Sequence, residues 1–431
     1  MPFVSAMKLA QDLDKIEKVP IRDGYGKGLV IAGEKNKNVV VLCADLTEST
    51  RSLWFQQKFP DRFVQVGVAE QNMASVAAGM AVMGKISFIS SYAMFSPGRN
   101  WEQIRTTIAY NAANVKIGGA HAGISVGPDG ATHQALEDVA IMRALPTMTV
   151  LVPCDAIEAR KATTAAAELV GPVYLRFARE KTPVMTKEET PFQIGKAEVY
   201  WNNESAEVAI IANGPMVYEA LLAARALEKE KIPVMVINNH TVKPLDKKTI
   251  LDAAKRCGAV VTAEEHQAHS GMGSAVAEYL AQTYPVPIKF IGVQDRFGES
   301  GAPGELMQKF GLTSKEIMQA VKDVIALRER HETVYETFAE TPEYAGRRLK
   351  EVVPELSFRL HGGGVVRSIP GLKKALEQMP NDVFSHHVRN GKNDFAAWIK
   401  DVFKDETLAK AVEHCKTKDE LQMILQLRVG R

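Results

Sequence analysis

The stretch TVLVPCDAIEARKATTAAAELVG, residues 149–171, contains the unit from which we predict the fold. Its first five residues, TVLVP, form an apolar run of strand type. Asp155 can cap a following helix, Glu158 stands three residues later as in a capping box, and Gly171 follows the last helical turn. A buried apolar strand that leads directly into a capped helix predicts a parallel sheet covered by helices.

The same alternation extends in both directions from this unit. Upstream, VVVLC (39–43) is a predicted strand and AEQNMASVAAGMAVMG (69–84) a predicted helix. An irregular linker over 183–197 separates these from a second series. The second series has predicted strands at 208–212, 233–237, 259–263 and 287–293 and predicted helices at 216–229, 245–257 and 272–283. We therefore expect an α/β fold with two doubly wound, mainly parallel sheets.

Length and changes in composition predict three parts. A chain of 431 residues is too long for one compact domain. We expect residues 1–185 and 186–325 to hold one α/β series each, and residues 326–431 to form an additional small module. This module is expected to be mostly helical and to include the charged helical stretch 328–344.

One polar group in the module admits two interpretations. His386 and His387 precede Asn393 and Asp394 by a few residues, so the four side chains could bind a ligand or form a packed turn. We favour the turn. Asp394, which stands before the apolar run FAAWI, is the expected N-cap of the helix that follows.

The composition excludes several classes of protein. Hydrophobic residues make up 46% and charged residues 24% of the chain, as in soluble globular proteins, and the formal net charge of +2 favours neither nucleic acid nor membrane as a partner. The N-terminal residues contain no apolar core of a signal peptide. Four cysteines far apart in the chain are expected to be free thiols. We expect a cytoplasmic protein.

Four residues outside the glycine-rich segment are candidates for function, each with an ordinary structural alternative. Asp45 follows a predicted strand, where parallel sheets bind ligands, but it could equally cap a helix. Glu70 begins an apolar helix and could simply complement the helix dipole. Tyr92 and Phe95, three residues apart, could stack on a flat ring or belong to the core.

The densest cluster of candidates lies in GGAHAGISVGPDGATHQALED, residues 118–138. Its glycines and its proline allow turns that bring the backbone close to a ligand. His121, Asp129 and His133 lie within it, but the close spacing of a zinc site is missing. We therefore favour a polar substrate pocket and expect no metal ligand in this chain.

Five segments in register resemble the transketolase family. In order along the chain they are ADLTEST (44–50), VGVAEQNM (66–73), SYAMF (91–95), AHAGISVGPDGATHQALED (120–138) and GPVYLRFAREK (171–181). They cover a region similar to the family's pyrimidine-binding domain, and residues 195–325 are similar to its C-terminal domain. The resemblance is closest to transketolases whose two halves are separate polypeptides.

The resemblance implies a site for thiamine diphosphate. Glu70 matches the glutamate that hydrogen-bonds the pyrimidine N1′ and favours the imino tautomer of the cofactor, so it is expected to be catalytic. Such a carboxyl functions best in a pocket of low polarity. Tyr92 and Phe95 match residues that stack on the aminopyrimidine, and Asp45 matches one that lines the cofactor site.

The resemblance also implies how the sugar is bound. His133, expected to be catalytic as well, and Asp129 match residues that hydrogen-bond the donor sugar near the reacting carbon. Arginine presents a planar fork that suits phosphate oxygens. The residues that match the family's phosphate-binding positions are Arg22, Ser49, His121 and Arg179.

Two positions depart from the family pattern. Many full-length transketolases carry a further aromatic residue after the stacking pair, whereas this chain reads SPGR over 96–99. Gly98 has no side chain, so part of the contact with the cofactor ring is in question. The segment LRFAR offers both Arg176 and Arg179 for phosphate, and the register favours Arg179.

The other half of the family's machinery is missing from this sequence. The family's diphosphate-binding domain carries a GDG motif followed by an Asn, which hold the metal ion and the diphosphate, and no GDG occurs here. The resemblance therefore implies an N-terminal transketolase subunit as partner, which binds Mg²⁺ or Ca²⁺, in an α2β2 assembly. The chain by itself is expected to be inactive.

Three functions remain in competition. The favoured one is transfer of a two-carbon ketol unit between sugar phosphates in the pentose phosphate pathway. The second is another thiamine-diphosphate enzyme, either 1-deoxyxylulose-5-phosphate synthase or the β chain of a 2-oxoacid dehydrogenase. The sequence AEQNM speaks against the synthase, and the GPDGATHQ loop with Arg22 and Arg179 speaks against the dehydrogenase. The third is a non-catalytic α/β binding protein.

Overall fold

The computed structural model describes residues 3–10, 12–338, 351–389 and 391–429. Two compact units, residues 1–328 and 329–431, make up the chain. None of the helices within the described ranges is long and apolar enough to cross a membrane. The four cysteines are free, as predicted, and all four are buried.

The strands of the larger unit are, in chain order, β1 (Lys18–Pro20), β2 (Val39–Cys43), β3 (Phe63–Gln65), β4 (Ile86–Tyr92), β5 (Val115–Ala120), β6 (Thr149–Leu151), β7 (Val173–Arg176), β8 (Lys181–Pro183), β9 (Glu198–Asn202), β10 (Val208–Ala212), β11 (Val234–Asn238), β12 (Thr241–Lys243), β13 (Val260–Gln267) and β14 (Ile288–Val293). They form two main sheets, with orders β12-β6-β7-β5-β4-β2-β3 and β14-β13-β10-β11-β9, while β1 pairs with β8. The predicted α/β architecture is confirmed.

The helices that begin in the larger unit are, in chain order, α1 (Ile21–Lys35), α2 (Leu53–Lys58), α3 (Glu70–Val82), α4 (Trp101–Gln103), α5 (Asp138–Arg143), α6 (Ala156–Glu168), α7 (Met216–Lys229), α8 (Lys247–Cys257), α9 (Met272–Thr283), α10 (Pro303–Lys309) and α11 (Ser314–Phe338). A π-helical segment, Ile104–Ala109, continues α4. The predicted charged helix over 328–344 is present as far as Phe338, and residues 339–344 lie outside the described residues.

The predicted start of α6 is confirmed in atomic detail. The Asp155 side chain accepts a hydrogen bond from the backbone N–H of Glu158 at 2.9 Å, which makes it the N-cap. The Glu158 carboxylate turns back and accepts from the N–H of Cys154 at 2.6 Å. Two donors at the helix start are thereby satisfied.

Close packing of α1 on α6 positions the first turn of α1 beside the sheet. A Cβ on Gly24 would lie 2.0 Å from the carbonyl oxygen of Ala156, and one on Gly28 would lie 2.5 Å from Cβ of Thr163. Only glycine permits this approach of the two helices. Arg22, in the first turn of α1, is thus held near the strands that α6 covers.

The second sheet differs from the prediction of four parallel strands. A fifth strand, β9, lies at its edge and pairs antiparallel with β11. This strand was missed because its polar ends, Glu198 and Asn202, interrupt the apolar pattern that marks buried parallel strands. A second departure is β12, which leaves the second series and pairs antiparallel with β6 of the first sheet.

The smaller unit is mostly helical. Its elements in chain order are β15 (Phe358–Arg359), β16 (Val365–Val366), α12 (Ile369–Gln378), α13 (Asn381–His387), β17 (Val388–Arg389), β18 (Lys392–Asn393), α14 (Asp394–Phe403), α15 (Glu406–Glu413) and α16 (Lys418–Val429). A hydrophobic core of its own, which includes Leu372, Phe395 and Ile399, holds these elements together.

The polar residues of this module form a packed turn. His387 accepts a hydrogen bond from the backbone N–H of His361 at 3.0 Å and faces the Asp394 carboxylate at 3.2 Å. The prediction that Asp394 caps α14 is wrong, because Asn393 is the N-cap: its side chain accepts from the N–H of Ala396 at 3.1 Å. Asp394 is already helical and directs its carboxylate to the histidine instead.

Candidate active site

The carboxyl ends of four neighbouring parallel strands bring predicted site residues to one edge of the first sheet. Asp45 follows β2, Tyr92 ends β4, His121 follows β5, and Arg179 lies three residues after β7. The registers place Cys43 opposite Ser90 and Tyr92 opposite Ala120. Because parallel strands end at the same edge, these residues come from distant parts of the chain to a common region.

An aromatic wall stands at this edge. The Tyr92 and Phe95 rings are nearly parallel, at 20°, with centroids 5.9 Å apart, and Tyr92 stacks on His121 with centroids 3.9 Å apart. The His133 ring meets Phe95 edge-on at 5.4 Å. All four rings thus lie in one contiguous group, which can accommodate a flat heteroaromatic ring.

The protonation of His121 follows from its contact with Arg22. Nη1 of Arg22 lies 3.3 Å from Nε2 of His121. A guanidinium only donates, so Nε2 accepts and the ring proton lies on Nδ1. Burial, and then the positive charge of Arg22, lower the pKa of His121 to about 2. The ring is therefore neutral, and its buried Nδ1–H has no partner among the described residues.

Three arginines form a cationic group beside the wall. Arg22 donates to the backbone carbonyl of Ser49 at 3.0 Å, and its pKa is lowered by burial and by the charge of Arg51. Arg51 is paired with Asp23 at 2.7 Å. Arg179 contributes to lowering the pKa of both Arg22 and His121, so its charge faces the same region. Converging guanidinium groups suit an anion with several oxygens.

Arg179 is fixed by the glycine-rich loop. Its Nη1 donates to the carbonyl of Val126 at 2.8 Å and lies 3.9 Å from the Asp129 carboxylate. The loop turns at Gly127 and Gly130, whose φ values of 79° and 77° are in the left-handed region. Asp129 therefore lies beside the arginine at the start of a tight turn.

The other arginine of LRFAR, Arg176, makes its contacts within the protein interior. It is buried, its Nε donates to the Asp138 carboxylate at 2.8 Å, and its Nη2 donates to the carbonyl of Glu265 at 2.7 Å. The Tyr174 hydroxyl donates to the same carboxylate at 2.6 Å. With every contact of Arg176 inside the protein, Arg179 remains the arginine of this segment that can meet an anion.

Glu70 is a buried carboxylate at the start of α3, with 2% of its surface exposed. Its Oε2 accepts from Nη1 of Arg99 at 2.8 Å. Its Oε1 accepts no hydrogen bond from the described residues. A carboxylate that only complemented a helix dipole would be solvated, so burial and pairing speak against that alternative.

Asp45 is the predicted residue with the weakest connection to this group. It is exposed, its φ is 59°, and its backbone N–H donates to the Gln65 side chain at 2.9 Å. Within the described ranges its carboxylate forms no hydrogen bond or ion pair, and it caps no helix. It lies at the adjacent strand end, two residues beyond β2.

Two arginines of this region were not predicted. Arg51 follows the ADLTEST segment directly, and Arg99 ends the SPGR segment that was considered only for a lost aromatic contact. The structure places the Arg99 guanidinium over the Phe95 ring, 4.7 Å from its centroid, so a cation occupies this side of the ring. A Cβ on Gly98 would lie 2.0 Å from the carbonyl of Met94, so glycine is required for the turn. The available signals were a basic residue directly after ADLTEST and another four residues after SYAMF.

Comparison with protein families decides the class. The family model of the transketolase pyrimidine-binding domain matches residues 17–185, and that of the transketolase C-terminal domain matches residues 195–317. The chain belongs to the transketolase family. Transketolases are thiamine-diphosphate-dependent transferases, and the chain is a transketolase-type subunit of the split kind, as its relatives indicate.

Two relatives match almost over their whole length. A protein described as a transketolase C-terminal section, from Methanocaldococcus jannaschii, is 43% identical over 70% of this chain and 95% of its own. A 6-deoxy-6-sulfo-D-fructose transketolase subunit from Clostridium sp. (strain MSTE9) is 43% identical over 72% of this chain and 96% of its own.

A solved structure agrees with these matches. It is described as a split-gene transketolase in the form of an inactive β4 tetramer. It is 44% identical to this chain, with a TM-score of 0.67, and covers 72% of this chain and 99% of the solved one.

Proposed function

We propose that this chain is the half of a two-subunit transketolase that holds the aminopyrimidine of thiamine diphosphate and the sugar phosphate. The reaction is the reversible transfer of a two-carbon ketol unit from a ketose phosphate to an aldose phosphate, in the pentose phosphate pathway. The observation that carries the proposal is the buried Glu70 carboxylate, with one oxygen free, which Arg99 connects to the aromatic wall.

The residues of the wall suit the aminopyrimidine. Tyr92 and Phe95 offer ring faces, and Oε1 of Glu70 is an acceptor available to a ring nitrogen, while Asp45 lines the same edge of the sheet. Thiamine diphosphate, when bound, supplies the electron-sink chemistry that amino-acid side chains lack. Glu70 holds or releases a proton at Oε1, within hydrogen-bond reach of a ring nitrogen bound against the wall.

The cationic group suits the sugar phosphate. Arg22 and Arg179 bind phosphate oxygens, and the neutral His121 donates from Nδ1. Ser49, whose backbone carbonyl accepts from Arg22, is a further phosphate-binding residue in this proposal. Asp129 and His133, on the glycine-rich loop, hydrogen-bond the sugar hydroxyls, and His133 is close enough to the wall to act near the reacting carbon.

A partner chain completes the site in this proposal. It is the N-terminal transketolase subunit, which carries the diphosphate-binding domain and binds Mg²⁺ or Ca²⁺, and the two chains assemble as α2β2. The split-gene relative described as an inactive β4 tetramer supports this proposal, because there one kind of chain associates without activity.

The proposal also divides the chain into three parts. Residues 1–185 bind the pyrimidine, residues 186–325 form the C-terminal α/β domain, and residues 326–431 are a module of separate role. The matched ranges 17–185 and 195–317 support the first two.

Reconstitution tests the proposal. The chain is mixed with its diphosphate-binding partner, thiamine diphosphate and Mg²⁺, and supplied with xylulose 5-phosphate and ribose 5-phosphate. Formation of sedoheptulose 7-phosphate by the pair, and none by either chain alone, is expected. If the pair forms no sedoheptulose 7-phosphate, the proposal is wrong.

A second candidate differs only in the terminal anion of the sugar. The relative from Clostridium sp. is a 6-deoxy-6-sulfo-D-fructose transketolase subunit at 43% identity. A sulfonate also offers three oxygens to Arg22 and Arg179. Comparing kcat/KM for fructose 6-phosphate and 6-deoxy-6-sulfofructose in the same pair distinguishes the two, and a preference for the sulfonate would favour the second.

A further inference from the structure

The contact between Glu70 and Arg99 is unlike an ordinary surface ion pair. Exposed pairs contribute little because both charges remain solvated. Here the Glu70 side chain is 2% exposed and the Arg99 side chain 48% exposed, with 2.8 Å between Oε2 and Nη1. The pair therefore connects a buried carboxylate to a cation that remains accessible from outside.

Arg99 is held at two points. Its guanidinium lies over the Phe95 ring, 4.7 Å from the centroid, while Nη1 donates to the Glu70 carboxylate. A planar guanidinium can lie flat on a ring and hydrogen-bond in its own plane at once, whereas an ammonium group is a point charge without a preferred plane. The same side chain thus contacts both the ring and the carboxylate that face the proposed aminopyrimidine.

The next residue fixes the backbone of Glu70. Nδ2 of Asn100, a fully buried side chain, donates to the Glu70 carbonyl at 3.0 Å and to Oγ of Ser96 at 3.2 Å. The segment 96–100 therefore holds Glu70 by its main chain and by its carboxylate.

This arrangement determines which carboxylate oxygen is available. The last torsion of a glutamate side chain is broad and has two nearly equivalent orientations. Because Arg99 occupies Oε2, Oε1 remains as the oxygen without a hydrogen bond from the described residues. Without Arg99 the carboxylate could rotate, and neither oxygen would be directed.

We propose that Arg99 is a positioning residue, which binds Oε2 of Glu70 and stacks on Phe95 so that Oε1 is presented to the aminopyrimidine of thiamine diphosphate. The proposal rests on the proposed function and adds to it a residue outside the predicted site. It assigns the SPGR segment a role, namely to place a guanidinium over the Phe95 ring and against the Glu70 carboxylate.

The test compares Arg99→Gln, Arg99→Lys and Arg99→Ala in the reconstituted pair with the wild type. Thiamine diphosphate affinity is measured by calorimetry, and kcat and KM for xylulose 5-phosphate are measured separately. Arg99→Gln is expected to weaken cofactor binding and to lower kcat by about 10- to 100-fold, the effect of misplacing a reactive group by about an ångström. KM for the sugar is expected to stay unchanged, and Arg99→Lys to recover part of the loss.

Two further measurements separate positioning from structural support. Arg99 is half exposed, so millimolar guanidinium ion is expected to restore part of the activity of Arg99→Ala. Lys85→Gln serves as the matched control, since Lys85 lies before the amino end of β4, at the edge of the sheet opposite the site. It removes the same charge and should change neither affinity nor kcat.

The outcomes are distinct. Cofactor affinity and kcat of Arg99→Gln within about twofold of the wild type would overturn the positioning role while the proposed function stands. A loss that follows a lower Tm, without rescue by lysine or guanidinium, would assign Arg99 to folding and also overturn it. A wild-type pair that neither binds the cofactor nor forms product would overturn both proposals.

Discussion

Nη1 of Arg22 lies 3.3 Å from Nε2 of His121, although the two residues are 99 positions apart in the chain. Burial, and then the charge of the arginine, keep the histidine neutral, and the arginine directs its remaining proton away from the guanidinium. A strongly charged donor and a neutral donor therefore stand side by side at the end of the first sheet. This relationship leads to the first prediction.

Replacing Arg22 by alanine should weaken the binding of phosphorylated substrates. We expect KM for ribose 5-phosphate to rise by about 10- to 100-fold, which corresponds to the loss of about 1.5–3 kcal/mol for a charge-assisted hydrogen bond. Steady-state kinetics of the reconstituted pair measure this KM. Unphosphorylated ribose is the control acceptor, and an equal effect on both acceptors would contradict phosphate binding by Arg22.

Replacing Glu70 should remove most of the activity. The variants Glu70→Gln and Glu70→Ala are expected to lower kcat by about 10²–10⁴-fold, the range for a group that transfers protons in the reaction. Glu102→Gln, an exposed position near the start of the π-helical segment, controls for loss of a charge. Turnover by Glu70→Ala close to the wild-type value would show that the carboxylate has no catalytic role.

Substitutions of the two arginines of LRFAR should have different effects, one on stability and the other on substrate binding. Arg176→Gln leaves the buried Asp138 without its counter-charge, so we expect a loss of about 3–5 kcal/mol in the free energy of unfolding. Arg179→Gln should leave stability nearly unchanged and raise KM for sugar phosphates. Denaturant unfolding and kinetics of both variants check this. The reverse pattern would show that Arg176 is the one that binds substrate.

Glu158 should make stability depend on pH. Burial, and then the charge of Asp155, raise the pKa of the Glu158 carboxyl to about 7 in the folded protein, above its ordinary value of 4.5. The folded state therefore holds more protons than the unfolded state between these values, and stability falls as pH rises through this window, by about 3 kcal/mol in all. Glu158→Gln removes this contribution.

Thermal unfolding at about pH 5 and about pH 8 tests the expectation for Glu158. The difference in Tm between the two pH values should be smaller in Glu158→Gln than in the wild type. Glu168→Gln, at the exposed end of the same helix, is the control and should keep the wild-type difference. If both variants keep it, Glu158 does not titrate in this window.

Removing residues 339–431 should leave the transketolase reaction intact. The two relatives that are 43% identical match this chain over 70% and 72% of its length while using 95% and 96% of their own. We expect a chain that ends at Phe338 to give kcat/KM within about twofold of the full chain, since a unit with its own core is separable. A large loss would assign the module a part in assembly or catalysis.

Much of the fold could be predicted because local signals specify it. The apolar runs of β2 and β10 and the capped start of α6 depend on neighbouring residues alone. The edge strand β9 escaped prediction because it is only partly buried and carries polar ends. The N-cap of α14 was placed one residue late because Asn393 and Asp394 are both good capping residues, and only backbone geometry distinguishes them.

The sequence by itself determined most of the elements, the family and most of the residues from which a site could be built, since these depend on periodicity, composition and motifs in register. Tertiary structure decided how those residues are used. It buried Arg176 against Asp138, left Arg179 at the sheet edge, placed the proton of His121 on Nδ1, and paired Glu70 with Arg99. The physical reason is that pairing depends on distances in space between residues far apart in the chain, where strands end together and where burial makes each charge require a partner.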